Sequence, residues 1–245
     1  MKRAILEQLQ EARRNKRPVA LVTDLDTGRE ALFDGDDVVA GELVLSAVAL
    51  REIEAAIRAD RSGRLKEAGE HLFVEVFNPP RRVIIIGAVH IAQALAPMAE
   101  IAGYEVVIVD PRRAFARDSR FPRVTLVDSW PDQALKELAP DSRTAVVTLT
   151  HDPKLDDPAL QIALESEAFY IGSLGSTRTH AKRLERLREA GLAEEQLDRI
   201  HGPLGLPLGG RTPAEIAVAT LAQMTQVLYG APPLVPARNR SAASA

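Results

Sequence analysis

The segment RRVIIIGAVHIAQAL, residues 81–95, begins like the phosphate-binding turn of a dinucleotide-binding fold. In the G-x-G-x-x-G pattern, the first glycine makes a tight turn and the second lets the backbone approach a pyrophosphate. The third position, where alanine also serves, lets the helix pack closely on the sheet. Gly87, Val89 and Ala92 occupy these positions. Two requirements are met, and a valine stands where phosphate would come closest. His90, next to it, either donates to an anion or simply packs in the fold.

An acid and two arginines follow the next apolar run, EVVIVD. Asp110 lies 23 residues after Gly87, close to where such folds place the acid that binds ribose hydroxyl groups. Arg112 and Arg113 follow almost at once, and guanidinium groups favour an additional phosphate or another anion. This part of the sequence therefore predicts binding residues for a phosphorylated ligand.

Two further polar segments follow apolar runs. Thr150, His151 and Asp152 come directly after TAVVTL, where the alternative to a binding role is an Asx cap before Pro153. A segment rich in glycine and hydroxyl groups follows AFYI, and a simple connection would not need its conformational freedom. Its candidate binding residues are Gly172, Ser173, Gly175, Ser176 and Arg178.

These segments are expected to form one anion site. Hydroxyl groups, exposed backbone N–H groups and a guanidinium at a helix start suit an anion, and the carboxyl ends of parallel strands meet at one crevice. We expect Arg178 to contribute to ligand affinity more than to stability, and Gly175 to contribute to both. The following helix, THAKRLERLREA, is rich in charge and is expected to be solvated on one face.

The elements that position these residues indicate an α/β fold. From residue 82, continuously apolar strands alternate with helices, which predicts a doubly wound, mostly parallel Rossmann-like sheet covered on both faces. One of these helices is expected through residues 157–165. The last helix, which begins at TPAE after Gly210, is apolar nearly all round and is expected to be buried.

A smaller α/β domain is predicted before this sheet. Asn78-Pro79-Pro80 ends the strand HLFVEVF, because proline cannot continue a ladder and restrains the residue before it. We therefore assign residues 1–78 to a small N-terminal domain, residues 79–230 to the Rossmann-like domain, and residues 231–245 to a disordered tail.

Composition excludes several classes of function. With no cysteine among 245 residues, the chain can form no disulfide, thiolate nucleophile, thiolate metal ligand or persulfide relay. A formal net charge of -3 with mixed signs gives no electrostatic reason to expect nucleic acid. No apolar run approaches the roughly 20 residues that span a bilayer, and the N-terminus is charged throughout. We expect a cytoplasmic protein with no membrane partner, no catalytic residue and no metal site.

The order of the motifs resembles the C-terminal Rossmann-type domain of the XdhC/CoxI family. The resemblance covers residues 82–229 and is carried by GAVHIAQALAPMA, VVIVDPR, VVTLTHDPKLDDPAL, YIGSLGSTRTHAKRLERL and GLPLGGRTPAEIA. Members of that family bind molybdenum cofactor, protect it and help insert it into xanthine dehydrogenase or related molybdenum hydroxylases. The resemblance implies a chaperone without turnover of its own that binds the cofactor as molybdopterin or its dinucleotide. It also implies a molybdenum hydroxylase as the client, with a cysteine desulfurase and a second copy of the chain as further candidate partners.

The N-terminal part departs from the family, and the residues leave two other functions open. Residues 18–77 lack the GSxPR-like and SGGC-like stretches that family members usually carry, so this chain offers no thiol for sulfuration of the cofactor. One alternative is an NAD(P)-dependent oxidoreductase with His90 or His151 as its acid–base residue. Val89 and the lack of a second substrate domain disfavour NAD(P). The other alternative is a regulatory module that senses a nucleotide.

Overall fold

The computed structural model describes residues 2–112, 120–122 and 124–231. These residues form two compact units that divide between Pro79 and Pro80. Arg113 and residues 232–245 of the predicted tail lie outside the described residues. Within the described part of the chain, no helix is long and apolar enough to cross a membrane.

The N-terminal unit is an antiparallel five-stranded sheet with a helix on each face. Its strands run in the order β3-β2-β1-β5-β4. Alternate residues of β1 face opposite sides, so that Leu21 packs with the first helix and Val22 with the second. The elements are α1 (Arg3–Arg14), β1 (Val19–Asp24), β2 (Glu30–Phe33), β3 (Val38–Gly41), α2 (Ala47–Ala59), β4 (Gly63–Arg64) and β5 (Leu72–Phe77).

The C-terminal unit is built on a parallel six-stranded sheet. The strand order is β11-β10-β9-β6-β7-β8, so the direction of winding reverses between β6 and β9. Such a reversal is the topological switch point at which doubly wound folds open a crevice. The strands are β6 (Arg81–Ile86), β7 (Tyr104–Val109), β8 (Thr125–Val127), β9 (Thr144–Thr148), β10 (Tyr170–Ser173) and β11 (Ile200–His201).

Helices cover both faces of this sheet, as the apolar strands predict. Ile85 of β6 packs on the side of the third and eighth helices, and Ile84 on the side of the fourth and fifth. The fifth begins at Pro153 rather than near residue 157, because proline is well tolerated in the first helical turn. The helices are α3 (His90–Ile101), α4 (Pro131–Leu138), α5 (Pro153–Glu165), α6 (Thr177–Glu189), α7 (Glu194–Leu197) and α8 (Pro213–Leu228).

The prediction that the last helix is buried holds for one face of the helix only. Helix α8 buries a face of small residues together with Met224 against the sheet side that it shares with α3. Its opposite face is open, since Val218 is 49% exposed, and Ile101 at the end of α3 is 88% exposed. These side chains border a shallow apolar groove between the two helices. A sequence that is apolar all round therefore does not establish burial on every side.

Gly172 lies inside β10 at a point where there is no room for a side chain. A Cβ atom there would lie 2.5 Å from Cδ1 of Leu204 and 2.7 Å from the ring of Tyr170. Both neighbours belong to the core of the C-terminal unit. The absence of a side chain at Gly172 therefore lets the core close over this strand.

Replacing Gly172 with alanine is expected to lower the free energy of unfolding by about 1 to 3 kcal/mol, because an added methyl group overpacks the core. Gly63→Ala in β4 is the control, because nothing lies within 4 Å of a Cβ atom at that position. It should change the free energy by no more than about 0.5 kcal/mol. Chemical denaturation followed by circular dichroism measures both, and equal effects of the two substitutions would refute the packing argument.

Candidate functional site

Most of the predicted site residues follow four strands that are neighbours in the sheet, β7, β6, β9 and β10. Gly87 directly follows β6, Asp110 directly follows β7, Thr150 follows β9 and Gly175 follows β10. All four strands are parallel, so these residues lie along the same edge of the sheet. The switch point falls between Gly87 and Thr150.

Gly87 lets the turns on either side of the switch point approach each other. Its φ angle is 107°, and a Cβ atom there would lie 2.6 Å from Cγ2 of Thr150. Either feature alone favours glycine at this position. Val89 is the residue before α3 and provides no side-chain cap, while the His90 side chain is exposed at the helix start. Gly87 therefore shapes the switch point through local packing.

Asp110 is fully buried and accepts four hydrogen bonds. The backbone N–H of Ala88 donates to Oδ2 at 2.8 Å, and Arg112 donates from its backbone N–H at 2.9 Å and from its side chain at 2.8 Å to each oxygen. A carboxylate offers about four lone-pair positions. None remains for the hydroxyl groups of a ribose, so Asp110 holds the ends of β6 and β7 together.

The charge of Asp110 is stabilised by its partners. Burial alone would raise the pKa of Asp110, but the hydrogen bonds from Arg112 and Ala88 outweigh it and hold the pKa below its ordinary value of 3.8. The same contact to Asp110 raises the pKa of Arg112, and the charges of Asp152 and Asp156 add to this effect. The Arg112 guanidinium is thus committed to a carboxylate. Arg113, the other arginine of the predicted pair, lies outside the described residues.

The segment after β9 forms a tight turn. The Thr150 hydroxyl donates to Oδ1 of Asp156 at 2.7 Å and accepts from the backbone N–H of Asp152 at 3.0 Å. The Asp152 carboxylate accepts from the N–H of Lys154, which caps α5 as the Asx alternative describes. His151 is exposed and has a φ angle of 59°, which is uncommon for a residue other than glycine. Such backbone strain occurs preferentially at ligand sites.

The segment after β10 divides into a buried and an exposed half. Ser173 is fully buried and its hydroxyl hydrogen-bonds that of Thr148 in β9, so it serves the sheet, as Gly172 does. Gly175 has a φ angle of 149°, where a side chain would be strained. Ser176 caps α6 by accepting from the N–H of Thr179 at 3.2 Å. Only the second half of the segment is accessible to a ligand.

A pocket of about 210 Å³ opens between α5 and α6 beside this exposed half. His151 and Arg178 of the predicted site line it, and α6 contributes three more cations, Lys182, Arg183 and Arg186. Arg186 is neutralised by Asp157, to which it donates at 2.6 and 3.0 Å. In the described part of the chain, the side chains of Arg178 and Lys182 make no hydrogen bond or ion pair.

The sequence-based assignment missed two buried charges in this pocket. Asp156 is 1% exposed and Arg183 is 2% exposed. Burial raises the pKa of Asp156, which the Thr150 hydrogen bond offsets only in part, and burial lowers the pKa of Arg183. Arg183 stands four residues before the buried Leu187 on the same side of α6. This spacing indicates that Arg183 lies on the buried side of the helix. The many charged residues of α6 instead favoured the prediction that Arg183 is exposed.

A parallel sheet in this strand order, with a glycine turn at its switch point, defines a Rossmann-type domain. The model of the XdhC Rossmann domain matches residues 83–224, more than half of the chain. The chain belongs to that family.

Two curated relatives and one solved structure illustrate the similarity. The chain is 34% identical over 151 residues to the molybdenum cofactor insertion chaperone PaoD of Escherichia coli K12, covering 62% of this chain and 41% of that protein. It is 31% identical over 157 residues to a probable xanthine dehydrogenase subunit of Bacillus subtilis 168, covering 64% and 46%. The chain spans less than half of the length of the curated relatives that it matches.

The solved structure extends the similarity of fold beyond the Rossmann unit. A crystal structure described as a xanthine dehydrogenase from Bacillus halodurans superimposes with a TM-score of 0.72 at 24% identity. It covers 93% of this chain and 64% of that chain. The shared fold therefore includes much of the N-terminal unit, even though that unit lacks the family's GSxPR-like and SGGC-like stretches.

Replacing Asp110 with asparagine tests its structural role. The variant is expected to lose about 2 to 3 kcal/mol of unfolding free energy at neutral pH, because an amide cannot accept the four hydrogen bonds. Since the folded-state pKa of Asp110 lies below 3.8, this stabilisation is fully present above that pH and is lost as pH falls through the folded-state pKa. Urea denaturation followed by the fluorescence of Trp130, the single tryptophan, measures it.

Asp198→Asn serves as the control, because Asp198 is exposed at the end of α7. The difference in unfolding free energy between the wild type and the Asp110 variant should decrease as the pH falls below 3.8. If this difference in unfolding free energy stays constant down to the pH at which the wild type itself unfolds, the charge of Asp110 is not what stabilises the turn.

Proposed function

We propose that this protein is a chaperone that binds molybdenum cofactor and delivers it to a xanthine dehydrogenase-type molybdenum hydroxylase. The observation that carries the proposal is the similarity to a relative named as a molybdenum cofactor insertion chaperone, within a family that the chain shares over residues 83–224. The second relative, whose name connects it with xanthine dehydrogenase, supports the class of client. We place this function in the cytoplasm.

The charges along the strand ends suit such a ligand. Molybdopterin carries a phosphate group, and its dinucleotide form carries a diphosphate, so both are anionic. The cations Arg178 and Lys182 line the pocket beside α6 without partners among the described residues. Two guanidinium nitrogens of Arg183 are also buried, and no hydrogen-bond partner for them occurs in the part of the chain that the structure describes. A bound phosphorylated cofactor would supply the acceptors that these groups lack.

The contacts of Asp110 argue against an NAD(P)-dependent oxidoreductase. A nicotinamide dinucleotide in the usual Rossmann pose needs a free acid for the ribose and a close backbone approach for the pyrophosphate. Asp110 has no free lone pair, and Val89 occupies the position of the second glycine. We infer that the protein holds its ligand on the other side of the switch point.

Holding the cofactor requires no covalent chemistry by this chain. The sequence contains no cysteine, so it cannot carry a sulfur atom as a persulfide. If the bound cofactor is sulfurated, a partner such as a cysteine desulfurase must transfer sulfur to it directly. The contribution of this chain is then to bind and shield the cofactor, and we expect it to show no turnover of its own.

Equilibrium titration of the full chain with isolated molybdenum cofactor, NADH, NADPH and CTP tests the proposal. We expect the cofactor to bind. The two nicotinamide nucleotides should not bind, because the hydrogen bonds from Ala88 and Arg112 leave Asp110 no lone pair for a ribose hydroxyl group. The cofactor-loaded protein should then restore activity to a cofactor-free molybdenum hydroxylase. Binding of CTP alone would favour a nucleotide-sensing module, and substrate-dependent oxidation of NADPH would contradict the proposal outright.

Arg178→Ala tests the assigned binding surface. Loss of a charge-assisted contact should weaken binding of isolated cofactor roughly tenfold to a hundredfold, the equivalent of about 1.5 to 3 kcal/mol. Thermal unfolding without ligand should barely change, since this side chain is exposed. Lys136→Ala on the exposed side of α4 removes a cation away from the strand ends and should leave affinity unchanged. Equal affinity of the Arg178 variant and the wild type would remove this residue from the site.

A further inference from the structure

Arg183 is a buried cation whose hydrogen-bonding capacity is largely unused. Among the residues that the structure describes, only Nη2 has a partner, the backbone oxygen of Leu174 at 2.7 Å, whereas Nε and Nη1 are buried without one. A buried charge with unsatisfied donors is unfavourable unless something pairs with it. The fold therefore retains an arrangement that is unfavourable in the protein alone.

Asp156 presents a matching unsatisfied atom in the same pocket. Its Oδ1 accepts from the Thr150 hydroxyl, but Oδ2 is buried and has no hydrogen-bond partner within the described ranges. Asp156 and Arg183 attract each other electrostatically. In the described residues they nevertheless form no ion pair with each other. Both residues line the pocket, and their unsatisfied polar atoms lie beside it without being paired to each other.

We propose that the pocket between α5 and α6 binds a phosphate group, with Arg183 as the buried anchor and Arg178 and Lys182 as cations at its mouth. Because Nε–H and the N–H groups of Nη1 lie on different edges of the planar guanidinium, one of these nitrogens donates to a phosphate oxygen in a single charge-assisted hydrogen bond. Asp156 shares a proton with another phosphate oxygen, since a carboxyl and a phosphate oxygen can meet only when one of them is protonated. Burial, which raises the pKa of Asp156, favours this arrangement.

The size of the pocket favours a phosphate group over a whole cofactor. Its volume of about 210 Å³ holds several water molecules at roughly 30 Å³ each, but it is below the roughly 300 to 1,000 Å³ typical of sites that enclose a larger ligand. His151 and Arg178 belong both to the strand ends and to the pocket. A ligand that lies along the strand ends can thus extend its phosphate into the pocket.

The identity of the molecule that carries this phosphate rests on the proposed function, whereas the pocket itself does not. For a molybdenum cofactor, the pocket would take the phosphate of molybdopterin or part of the diphosphate of the dinucleotide. Inorganic phosphate and pyrophosphate are therefore the probes for the pocket, and isolated molybdenum cofactor is the probe for the link between pocket and function.

Titration calorimetry of the full chain with inorganic phosphate and with pyrophosphate tests the pocket. We expect saturable binding to the wild type and a loss of affinity of at least about tenfold in Arg183→Gln, which keeps much of the side chain but removes its charge. Phosphate should raise the melting temperature of the wild type and not that of the variant. Arg188→Gln is the matched control on the same helix, because Arg188 is exposed and paired with Glu194.

A double variant keeps the test decisive if Arg183→Gln does not fold. Arg178→Gln with Lys182→Gln changes two exposed side chains and should weaken phosphate binding at least about tenfold while leaving the unfolding transition in place. The proposal is overturned if the wild type shows no saturable phosphate binding, if both pocket variants bind phosphate like the wild type, or if Arg188→Gln loses as much affinity as they do.

Titration of the same proteins with isolated molybdenum cofactor separates the two proposals. A parallel loss of phosphate and cofactor affinity in the pocket variants supports both. Phosphate binding without any cofactor binding to the wild type would overturn the proposed function and leave the pocket in place. Normal cofactor binding by variants that have lost phosphate binding would overturn the assignment of the cofactor's phosphate to this pocket.

Discussion

The saturated carboxylate of Asp110 is the constraint on which the arrangement of the site depends. It joins the backbone of Ala88, in the turn after β6, to Arg112, in the loop after β7. In a dinucleotide-binding domain, an acid at this position is left free for a ribose. Here the same position fastens two strand ends to each other. On the β7 side of the crevice, Asp110 therefore has no lone pair left for the ribose hydroxyl groups of the dinucleotide that this fold usually binds there.

We therefore propose that the ligand is recognised on the other side of the switch point, at the ends of β9 and β10. The turn at Thr150 is held by Asp156, the exposed start of α6 presents Arg178, and Arg183 remains buried with unused donors. The phosphate site that we propose from these contacts does not require a glycine at the position of Val89. Val89 replaces the second glycine of the fingerprint, which removes the standard pyrophosphate contact. The hydrogen bonds to Asp110 remove the standard ribose contact.

Sequence patterns predicted the architecture because burial on both faces leaves a direct trace in the strands, as in VIII of β6. They also predicted the edge of the sheet at which the polar residues lie, because each polar segment directly follows an apolar strand and parallel strands end at the same edge. They did not reveal that Asp110 is saturated, because Ala88 contributes a backbone group that every residue type possesses. The sequence patterns missed Arg183 because a helix rich in charged residues is expected to face solvent. They misjudged the burial of α8 because composition does not show which face of a helix lacks a packing partner. Contacts between distant segments decide each of these features.

The most direct test of this account is a crystal structure of the full chain with bound molybdenum cofactor. We predict that Asp110 keeps its contacts to Ala88 and Arg112, and that the cofactor lies along the ends of β9 and β10 with a phosphate oxygen within hydrogen-bond distance of Nε or Nη1 of Arg183. A cofactor whose phosphate lies instead on the turn after Gly87, with Arg112 displaced and Asp110 bonded to the ligand, would contradict it.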